Sequence, residues 1–330
     1  MSNPKQTICI IGMGFIGKIH LKTIKKLKNI FTFKGYYDPN VKKFKNFKSF
    51  KNIEEIISYN PNFVLISTPS NTHLNIATKL VKKGIKNIII EKPLAFKKKH
   101  IENLILLERK YNCKIFPVSQ LLFNDNLVLL KKILDQKLLG KIVKVNIISL
   151  INRNKEYFLN SKWKGKFKYD GGILFNQFYH FIDIINYFFP YKKKIYGKFY
   201  KNNQKFYDTC HFIFEYDKFA ASLDFSISVY EKNFEQSLIL VAEKGTIKFD
   251  DNFTKLSFLN LQKKIRSNLL KKFSKKKQNK ISSFLNFYLN VYRNVKRKHN
   301  PNFSLKRTLT ITTLINKMYD INKTHSDRKN

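Results

Sequence analysis

The stretch TICII at Thr7–Ile11 runs directly into GMGFIG at Gly12–Gly17, which has the spacing GxGxxG. The short apolar run predicts a buried strand, and the apolar periodicity of Phe15–Leu27 predicts a helix. The glycines therefore fall at a turn between a strand and a helix, which is the context in which this spacing indicates a dinucleotide site.

Each residue of this turn has a predicted role. Gly12 permits the tight turn, Gly14 lets the backbone approach a pyrophosphate, and Gly17 lets the helix pack against the sheet. The helix begins at Phe15 and Ile16, where free N–H groups and the positive end of the helix dipole favour phosphate. We expect these five residues to bind a dinucleotide coenzyme.

An acidic residue follows the next predicted strand. The strand Phe31–Tyr37 ends at Asp38, about 20 residues beyond the glycines, where a carboxylate can accept both ribose hydroxyls of NAD. The same carboxylate would repel the 2′-phosphate of NADP, so NAD is favoured over NADP. The alternative interpretation is that Asp38-Pro39-Asn40 is simply a turn.

Strands and helices alternate through the first 120 residues. Further strands are predicted at Phe63–Ser67, Lys86–Ile90 and Lys114–Val118, and helices at Ile53–Ser58, Thr72–Lys83 and His100–Tyr111. This alternation predicts an α/β Rossmann domain over residues 1–120, with a doubly wound parallel sheet that is covered by helices on both faces.

The pattern changes after Gln120. Helices are predicted at Asn126–Leu138, Ile173–Phe188, Ser282–Val295 and Leu305–Ile321, and strands at Lys141–Leu150, Ile195–Phe199, Thr209–Glu215, Ala220–Val229, Gln236–Ala242 and Thr246–Phe249. Consecutive strands without helices between them predict a large, mostly antiparallel open sheet. We therefore expect residues 121–330 to form an α+β domain for substrate binding and oligomerisation, with the last helix packing back on the first domain. The basic run Lys263–Lys280 is predicted to be a solvated loop or helix.

The composition excludes several classes of protein. The 330 residues are 43% hydrophobic, which is enough for a large core and excludes a disordered chain. The apolar runs are far shorter than the ~18 residues that span a membrane. The cysteines Cys9, Cys113 and Cys210 are scattered and lack metal-ligand spacing, so we expect a cytoplasmic protein without a metal site.

The formal net charge of +42 has two interpretations. One is binding to nucleic acid or to an anionic membrane surface. The other is a codon bias, because Lys, Asn, Ile, Phe and Tyr are abundant together. Nucleic-acid-binding proteins concentrate charge on one face and use arginine for base readout, whereas lysine is spread along this chain and arginine is scarce. We therefore expect no specific nucleic-acid partner.

Polar clusters follow two later strands of the predicted parallel sheet. Thr68, Pro69 and His73 come after the third strand, and Glu91 and Lys92 come after the fourth. Ligands bind outside the carboxyl ends of parallel strands, so we expect both clusters to face the nicotinamide. Taken singly, each cluster could equally be ordinary loop and helix-cap chemistry.

Together these motifs resemble the family of glucose–fructose oxidoreductase, inositol dehydrogenase and MocA, which are NAD(P)-dependent sugar oxidoreductases. The resemblance extends over nearly the whole chain. Its further segments are STPSNTHLNIA at Ser67–Ala77, EKPLA at Glu91–Ala95, LLGKI at Leu138–Ile142, WKG at Trp163–Gly165, DGGILFNQFYHFIDII at Asp170–Ile185, EKGTI at Glu243–Ile247 and FYLNVYRNVK at Phe287–Lys296. No single segment is decisive, but the ordered series is specific.

The resemblance implies three catalytic residues. The family's lysine, which reaches the substrate hydroxyl and the nicotinamide, falls on Lys92, and its cis peptide bond falls on Lys92–Pro93. The family's Asp–xxx–His pair falls on Asn176 and His180, which would share one face of a helix. His180 is then the candidate general base, and Lys92 would stabilise the developing alkoxide. Asn176 cannot relay a proton, so we expect it to orient the substrate or the histidine. Without the resemblance, His180 would be interpreted as a buried helix histidine.

The resemblance also implies substrate contacts in the second half of the chain. The segment from Arg153 to Trp163 and Lys164 loosely resembles a stretch in family members that oxidise the 3-hydroxyl of UDP-N-acetylglucosaminuronic acid. Similar WKG segments occur in members that act on free sugars or cyclitols. The expected substrate residues are Lys92, Arg153, Trp163, Lys164, Asn176 and His180. We expect Gln120, in a loop that lacks the arginine of many members, to contact the coenzyme.

These expectations describe an NAD-dependent dehydrogenase that moves a hydride between the nicotinamide and a secondary hydroxyl or keto carbon of a sugar or nucleotide-linked sugar, consistent with surface polysaccharide synthesis. Two alternatives stay open: a reductase of a non-sugar carbonyl or imine, and a cofactor-binding regulator without catalysis.

The family assembles through the apolar exposed face of its open sheet, and Ala220–Val229 alternates in that manner. We therefore expect a homodimer or homotetramer.

Overall fold

A computed structural model describes residues 4–159, 163–250, 253–261, 280–296 and 300–326. The chain divides into two compact units: Met1–Gln120 with Ser283–Thr313, and Leu121–Ser282 with Leu314–Asn330. All but the last residue of the predicted basic segment lies outside the described residues. Among the helices of the described part, none is long and apolar enough to cross a membrane.

The first unit contains a parallel sheet with the strand order β2-β1-β3-β4-β5. Its strands are β1 Gln6–Ile11, β2 Phe31–Tyr37, β3 Phe63–Ile66, β4 Asn87–Ile90 and β5 Lys114–Pro117, and its helices include α1 Phe15–Lys26, α2 Ile53–Tyr59, α3 His73–Lys82 and α4 Lys98–Lys110. The strand order reverses between β1 and β3, which is the point where such sheets bind ligands. The prediction of a doubly wound parallel sheet is confirmed.

The strands of this sheet are apolar because helices cover both faces. Phe63–Ile66 is buried at every position, and Ile8–Ile11 is buried likewise. The helix α3 packs Ala77 and Leu80 into the same core cluster as β3 and β4. Burial on both faces explains why these strands appear in the sequence as continuous apolar runs without alternation.

The second unit contains a sheet with the strand order β12-β11-β10-β6-β9-β8-β7. Its strands are β6 Ile142–Leu150, β7 Lys194–Tyr200, β8 Thr209–Glu215, β9 Ala220–Ser226, β10 Glu235–Ala242, β11 Gly245–Asp250 and β12 Lys255–Leu259. Neighbouring strands are antiparallel, apart from the parallel pair β6 and β9. The prediction of a mostly antiparallel sheet is confirmed, although β12 was not predicted.

The remaining helices follow the chain in order. They are α5 Asp125–Asp135, α6 Lys155–Leu159, α7 Phe167–Asp170, α8 Gly172–Asn176, α9 Tyr179–Phe188, α10 Lys280–Lys296 and α11 Leu305–Ser326. Phe181 of α9 packs on Phe225 of β9 at 5.8 Å between ring centroids, and Phe178, just before the helix, stacks on the same ring at 4.5 Å.

The outward-facing side of β9 is more polar than its sequence predicted. Along β9, Leu223 and Phe225 are buried, whereas Asp224 points away from the core and lies 2.9 Å from the His211 imidazole of β8. The expectation that Ala220–Val229 presents an apolar exposed face is therefore wrong for β9. Its apolar side chains are the ones that face the core, as the period of two of a half-buried strand requires.

Candidate functional site

The glycine turn after β1 is tightly packed on one side and open on the other. Gly12 has φ +95°, and a Cβ atom there would lie 2.7 Å from the carbonyl carbon of Ser67. A Cβ atom at Gly17 would overlap the carbonyl oxygen of Gly12. At Gly14, by contrast, nothing lies within 4 Å of an added Cβ atom. The turn therefore leaves free space where a pyrophosphate would approach the backbone.

The first turn of α1 is available to bind an anion. Gly14 is the N-terminal cap of this helix, and no side chain of a described residue caps it by a hydrogen bond. The Phe15 side chain is 83% exposed and leaves the helix start uncovered. Because the first N–H groups of a helix have no partner within the helix, they can donate to phosphate oxygens. The geometry at these residues fits a dinucleotide.

Asp38 is fixed beside the glycine turn. Its Oδ2 accepts a hydrogen bond from the Met13 N–H at 2.7 Å, and its Oδ1 accepts one from the Asn40 N–H at 2.8 Å. The second bond is the local turn that was the alternative interpretation of this segment. Each carboxylate oxygen keeps a further lone pair, so the turn and a contact to a ribose hydroxyl are compatible.

His73 joins the loops that follow β3 and β4. Its ring is fully buried, with Nδ1 at 3.1 Å from the Pro93 carbonyl oxygen and Nε2 at 2.9 Å from the Thr68 carbonyl oxygen. Burial lowers the pKa of His73, although the two carbonyls and Glu91 oppose this effect. The Lys92–Pro93 peptide bond is cis, as the resemblance implied. Thr68, Pro69 and Lys92 therefore lie in two loops that both contact the buried His73 ring, and a neutral ring can donate a hydrogen bond to only one of the two carbonyls at a time.

Glu91 is buried directly before Lys92. Its Oε1 lies 2.7 Å from His20 Nε2, and its Oε2 accepts the backbone N–H of Lys92 at 2.9 Å. Burial by itself would raise the pKa of Glu91, but the hydrogen bond and the charge interaction with His20, followed by the charge and the N–H of Lys92, outweigh it and place the pKa below its usual value. A buried carboxylate therefore stands next to the candidate catalytic lysine.

The last predicted coenzyme residue follows β5. Gln120 begins a short 3₁₀ turn, Gln120–Phe123. The preceding Ser119 is buried, and its hydroxyl accepts a hydrogen bond from the Arg307 guanidinium of α11 at 2.8 Å. All the predicted coenzyme residues thus lie in segments that follow the carboxyl ends of β1 to β5, at the same edge of the sheet.

A hydrogen-bonded network surrounds Asn176 in the second unit. The Asn176 amide donates to Asp170 Oδ2 at 3.0 Å and accepts from Gln177 Nε2 at 3.0 Å. Gln177 in turn accepts from Arg153 Nε at 2.9 Å and donates to the Tyr157 hydroxyl at 2.9 Å. The structure therefore brings together two predicted residues, Arg153 and Asn176, through a glutamine that the sequence analysis missed.

Asp170 organises this network and was also missed. It is buried, and it accepts hydrogen bonds from the backbone N–H groups of Gly165 at 2.6 Å and Gly172 at 2.8 Å, besides the Asn176 amide. Burial raises the pKa of Asp170, and the three donors partly offset this effect. The sequence pattern that could have identified Asp170 is Asp-Gly-Gly. Gly171 and Gly172 both have positive φ, and they form a tight turn around the carboxylate.

Two cations flank one aromatic ring beside the network. Lys164 Nζ lies 3.8 Å from the centroid of the Tyr157 ring, and the Arg153 guanidinium lies 5.2 Å from it. Burial and the charge of Arg153 lower the pKa of Lys164. Trp163 is adjacent, with its ring 6.0 Å from Lys164 Nζ. This clustering gives the predicted substrate segment a positive, aromatic character.

A cavity of about 260 Å³ opens beside Asn176 and Gln177. Aromatic rings dominate its wall, together with Asp170 and two lysines. The lining residues are Phe158, Gly165, Phe167, Asp170, Gly172, Ile173, Asn176, Gln177, Lys201, Lys205, Phe206, Tyr207, Ile227 and Tyr319. An apolar cavity with a few convergent polar groups is the usual form of a small-molecule site.

The single helix predicted at Ile173–Phe188 is wrong, because the chain breaks it in two. Asn176 ends α8 and His180 lies in the first turn of α9, so the pair does not share one continuous helix. The interruption falls at Gln177, whose side chain bonds Arg153 and Tyr157, and at Phe178, which is fully buried against Phe225. The Gln177 N–H still donates to the Ile173 carbonyl at 2.9 Å and ends α8, while Phe178 is the N-terminal cap of α9.

Replacing Asp170 by asparagine is expected to lower the free energy of unfolding by about 1–3 kcal/mol, because the new amide would turn an N–H toward one of three donors that need an acceptor. Urea unfolding followed by circular dichroism measures the change. The matched control is Asp217→Asn, which removes an exposed carboxylate paired with Lys193 on the surface and is expected to change little. Equal losses in the two variants would contradict the role assigned to Asp170.

The parallel sheet, with the glycine turn after β1 and Asp38 beside it, is the arrangement of a dinucleotide-binding domain. The chain matches a family model described as "Oxidoreductase family, NAD-binding Rossmann fold" over residues 7–118. It also matches the GFO/IDH/MocA C-terminal domain over residues 127–248. The chain belongs to the GFO/IDH/MocA family of NAD-binding oxidoreductases. Comparison with curated protein sequences finds no match.

Several solved structures share the fold. The WlbA dehydrogenase from Bordetella pertussis, in complex with NADH and UDP-GlcNAcA, is 20% identical, with a TM-score of 0.85 over 98% of this chain and 97% of that chain. The WlbA dehydrogenase from Chromobacterium violaceum, in complex with the same two ligands, is also 20% identical, with a TM-score of 0.85 over 98% of this chain and 96% of that chain. A myo-inositol dehydrogenase from Corynebacterium glutamicum is 15% identical, with a TM-score of 0.74 over 98% of both chains.

Proposed function

We propose that this protein is an NAD-dependent dehydrogenase that acts on a secondary hydroxyl of an anionic, nucleotide-linked sugar. The observation that carries the proposal is the network around Asn176, in which amide and carboxylate groups adjoin the cations Arg153 and Lys164. Amide groups suit sugar hydroxyls, which both donate and accept, and the cations suit carboxylate or phosphate. The two WlbA structures that share the fold contain a nucleotide-linked sugar acid and NADH, which supports this substrate class.

The chain's own residues have distinct roles in this proposal. Gly12, Gly14, Phe15, Ile16 and Gly17 hold the coenzyme diphosphate. Further coenzyme contacts are proposed for Asp38, Thr68, Pro69 and Gln120. His73 and Glu91 act by fixing the two loops that carry Thr68, Pro69 and Lys92. NAD, when bound, supplies the acceptor or donor of the hydride.

The proton and the developing charge are handled by side chains. His180 accepts the hydroxyl proton, because an imidazole titrates near neutral pH and suits general-base catalysis. Lys92 stabilises the developing alkoxide by its fixed positive charge. Asn176, which the Asp170 carboxylate orients, positions the sugar by hydrogen bonds. Arg153, Trp163 and Lys164 bind the anionic part of the substrate.

A substrate panel tests the proposal. The purified protein is mixed with NAD and with UDP-N-acetylglucosaminuronic acid, UDP-N-acetylglucosamine, free glucuronic acid or myo-inositol, and NADH formation is followed by fluorescence. We expect the charged nucleotide sugar to give the highest kcat/KM, and His180→Gln to lower its turnover about 10²–10⁴-fold. A preference for free glucuronic acid or for myo-inositol would contradict the substrate class. NADH binding without turnover of any compound would contradict the catalytic proposal and favour a regulator.

A further inference from the structure

A buried chain of hydrogen bonds connects three elements of the first unit. The Tyr288 hydroxyl of α10 lies 2.8 Å from His20 Nδ1 of α1, and His20 Nε2 lies 2.7 Å from Glu91 Oε1 after β4. The last hydrogen bond of this series is the one that Glu91 Oε2 accepts from the Lys92 N–H. His20 and Tyr288 are fully buried, and Glu91 is 5% exposed. The contacts link the helix of the glycine turn to the candidate catalytic lysine.

The chemistry of the three groups sets the direction of these bonds. An ionised carboxylate has no proton to give, so His20 Nε2 carries a hydrogen and donates it to Glu91. Burial, reinforced by the negative charge of Glu91, raises the pKa of Tyr288 well above its usual value. Tyr288 therefore keeps its proton, and its hydroxyl can donate to Nδ1 of a neutral His20 or accept from Nδ1 of a protonated one. In this series of hydrogen bonds, each donor therefore meets an acceptor.

We propose that His20 and Tyr288 are positioning residues for Lys92, because they hold Glu91 ionised and in place. The ionised Glu91 then fixes the backbone of Lys92 and keeps a negative charge beside its ammonium group. The inference rests on the proposed function, in which Lys92 is catalytic. Neither His20 nor Tyr288 touches the coenzyme or the substrate in this proposal.

The physical reason lies in the cost of an unpaired buried carboxylate. Without a donor such as His20, burial favours the protonated acid. The other groups that face Glu91 are Lys92, Tyr288 and the largely neutral His73 of α3. Of these, only Lys92 carries a positive charge. When His20 is lost, fewer groups therefore counteract the rise in the Glu91 pKa that burial causes. Glu91 then takes up a proton at a higher pH than in the wild type.

Three variants test the inference. His20→Phe removes both ring nitrogens, His20→Gln keeps an N–H that can donate to Glu91, and Tyr288→Phe removes only the hydroxyl. We expect His20→Phe to lower kcat about 10–100-fold and to shift the acid limb of the kcat profile upward by about one pH unit or more, with KM and the Kd for NADH within about threefold. We expect His20→Gln to restore most of kcat and the wild-type profile, and Tyr288→Phe to have a smaller effect of the same kind.

Carboxyl ¹³C NMR of glutamate-labelled protein gives a readout that does not depend on turnover. The Glu91 resonance, assigned from Glu91→Gln, is expected to titrate below the usual glutamate range in the wild type and above it in His20→Phe. If His20→Phe does not fold, the same upward movement in Tyr288→Phe, without one in His20→Gln, supports the inference. An unchanged Glu91 titration in the folded variants, or a loss of kcat in His20→Gln equal to that of His20→Phe, overturns it. A correct Glu91 titration in a protein without dehydrogenase activity would instead overturn the proposed function.

Discussion

Replacing Lys92 by methionine is expected to lower kcat about 10³-fold while the Kd for NADH changes less than about threefold. Methionine keeps much of the length of the lysine stem but removes the positive charge. That charge stabilises the alkoxide in the transition state, so the loss should appear in kcat and should leave coenzyme binding almost intact. Stopped-flow single turnover with saturating NAD and a UDP-linked sugar acid measures the chemical step directly.

Two control variants sharpen this prediction. Lys92→Arg keeps the charge but moves it, and it is expected to retain part of the activity. Lys99→Ala removes a lysine that is exposed on α4 of the same unit, and it is expected to behave as the wild type. A Lys92→Met variant with more than about one tenth of the wild-type kcat would contradict the electrostatic role of Lys92.

Replacing Gly14 by valine is expected to weaken NADH binding about 100-fold or more, which is about 2.7 kcal/mol, while lowering the melting temperature less than Gly12→Ala does. Gly14 has φ −69° and ψ −162°, an extended conformation that valine adopts readily, and an added Cβ atom meets nothing within 4 Å. The new side chain can therefore cost little in the free protein. It would instead occupy the space in which the pyrophosphate approaches the backbone.

Gly12→Ala is the matched contrast for this prediction. Its Cβ atom would meet the backbone of Ser67 and would sit at a positive φ, so we expect it to destabilise the fold itself by about 1–3 kcal/mol. Calorimetric scans of both variants separate the two effects. Gly14→Val with an unchanged Kd for NADH would show that no coenzyme passes this turn.

The parallel sheet was predictable because its signals are local. The strand before Gly12 and the glycine spacing occupy adjacent positions, and each later strand is a short apolar run that ends in polar residues. The register of β6 beside β9 has no such signal. These two strands are parallel neighbours, yet several other elements separate them in the chain. Consecutive strands indicate antiparallel pairing, so a parallel contact between distant strands could not be inferred from their order.

The candidate site was predictable as a list of residues and not as a geometry. The resemblance identified Asn176 and His180, but the break between α8 and α9 that separates them is not encoded in the spacing of the apolar residues. His20 bonds Glu91, which is 71 positions away, and it also bonds Tyr288, which is 268 positions away. Such pairings arise from tertiary packing, which one sequence alone does not reveal.

The most direct test of the central claim is isothermal titration calorimetry of the wild-type protein with NADH and with NADPH. We expect a one-to-one complex with NADH in the first unit, tighter than the complex with NADPH because Asp38 lies beside the glycine turn. We also expect the heat of NADH binding to be lost in Gly14→Val. If neither NADH nor NADPH gave binding heat, or if the heat persisted unchanged in Gly14→Val, a dinucleotide site at the glycine turn would be contradicted.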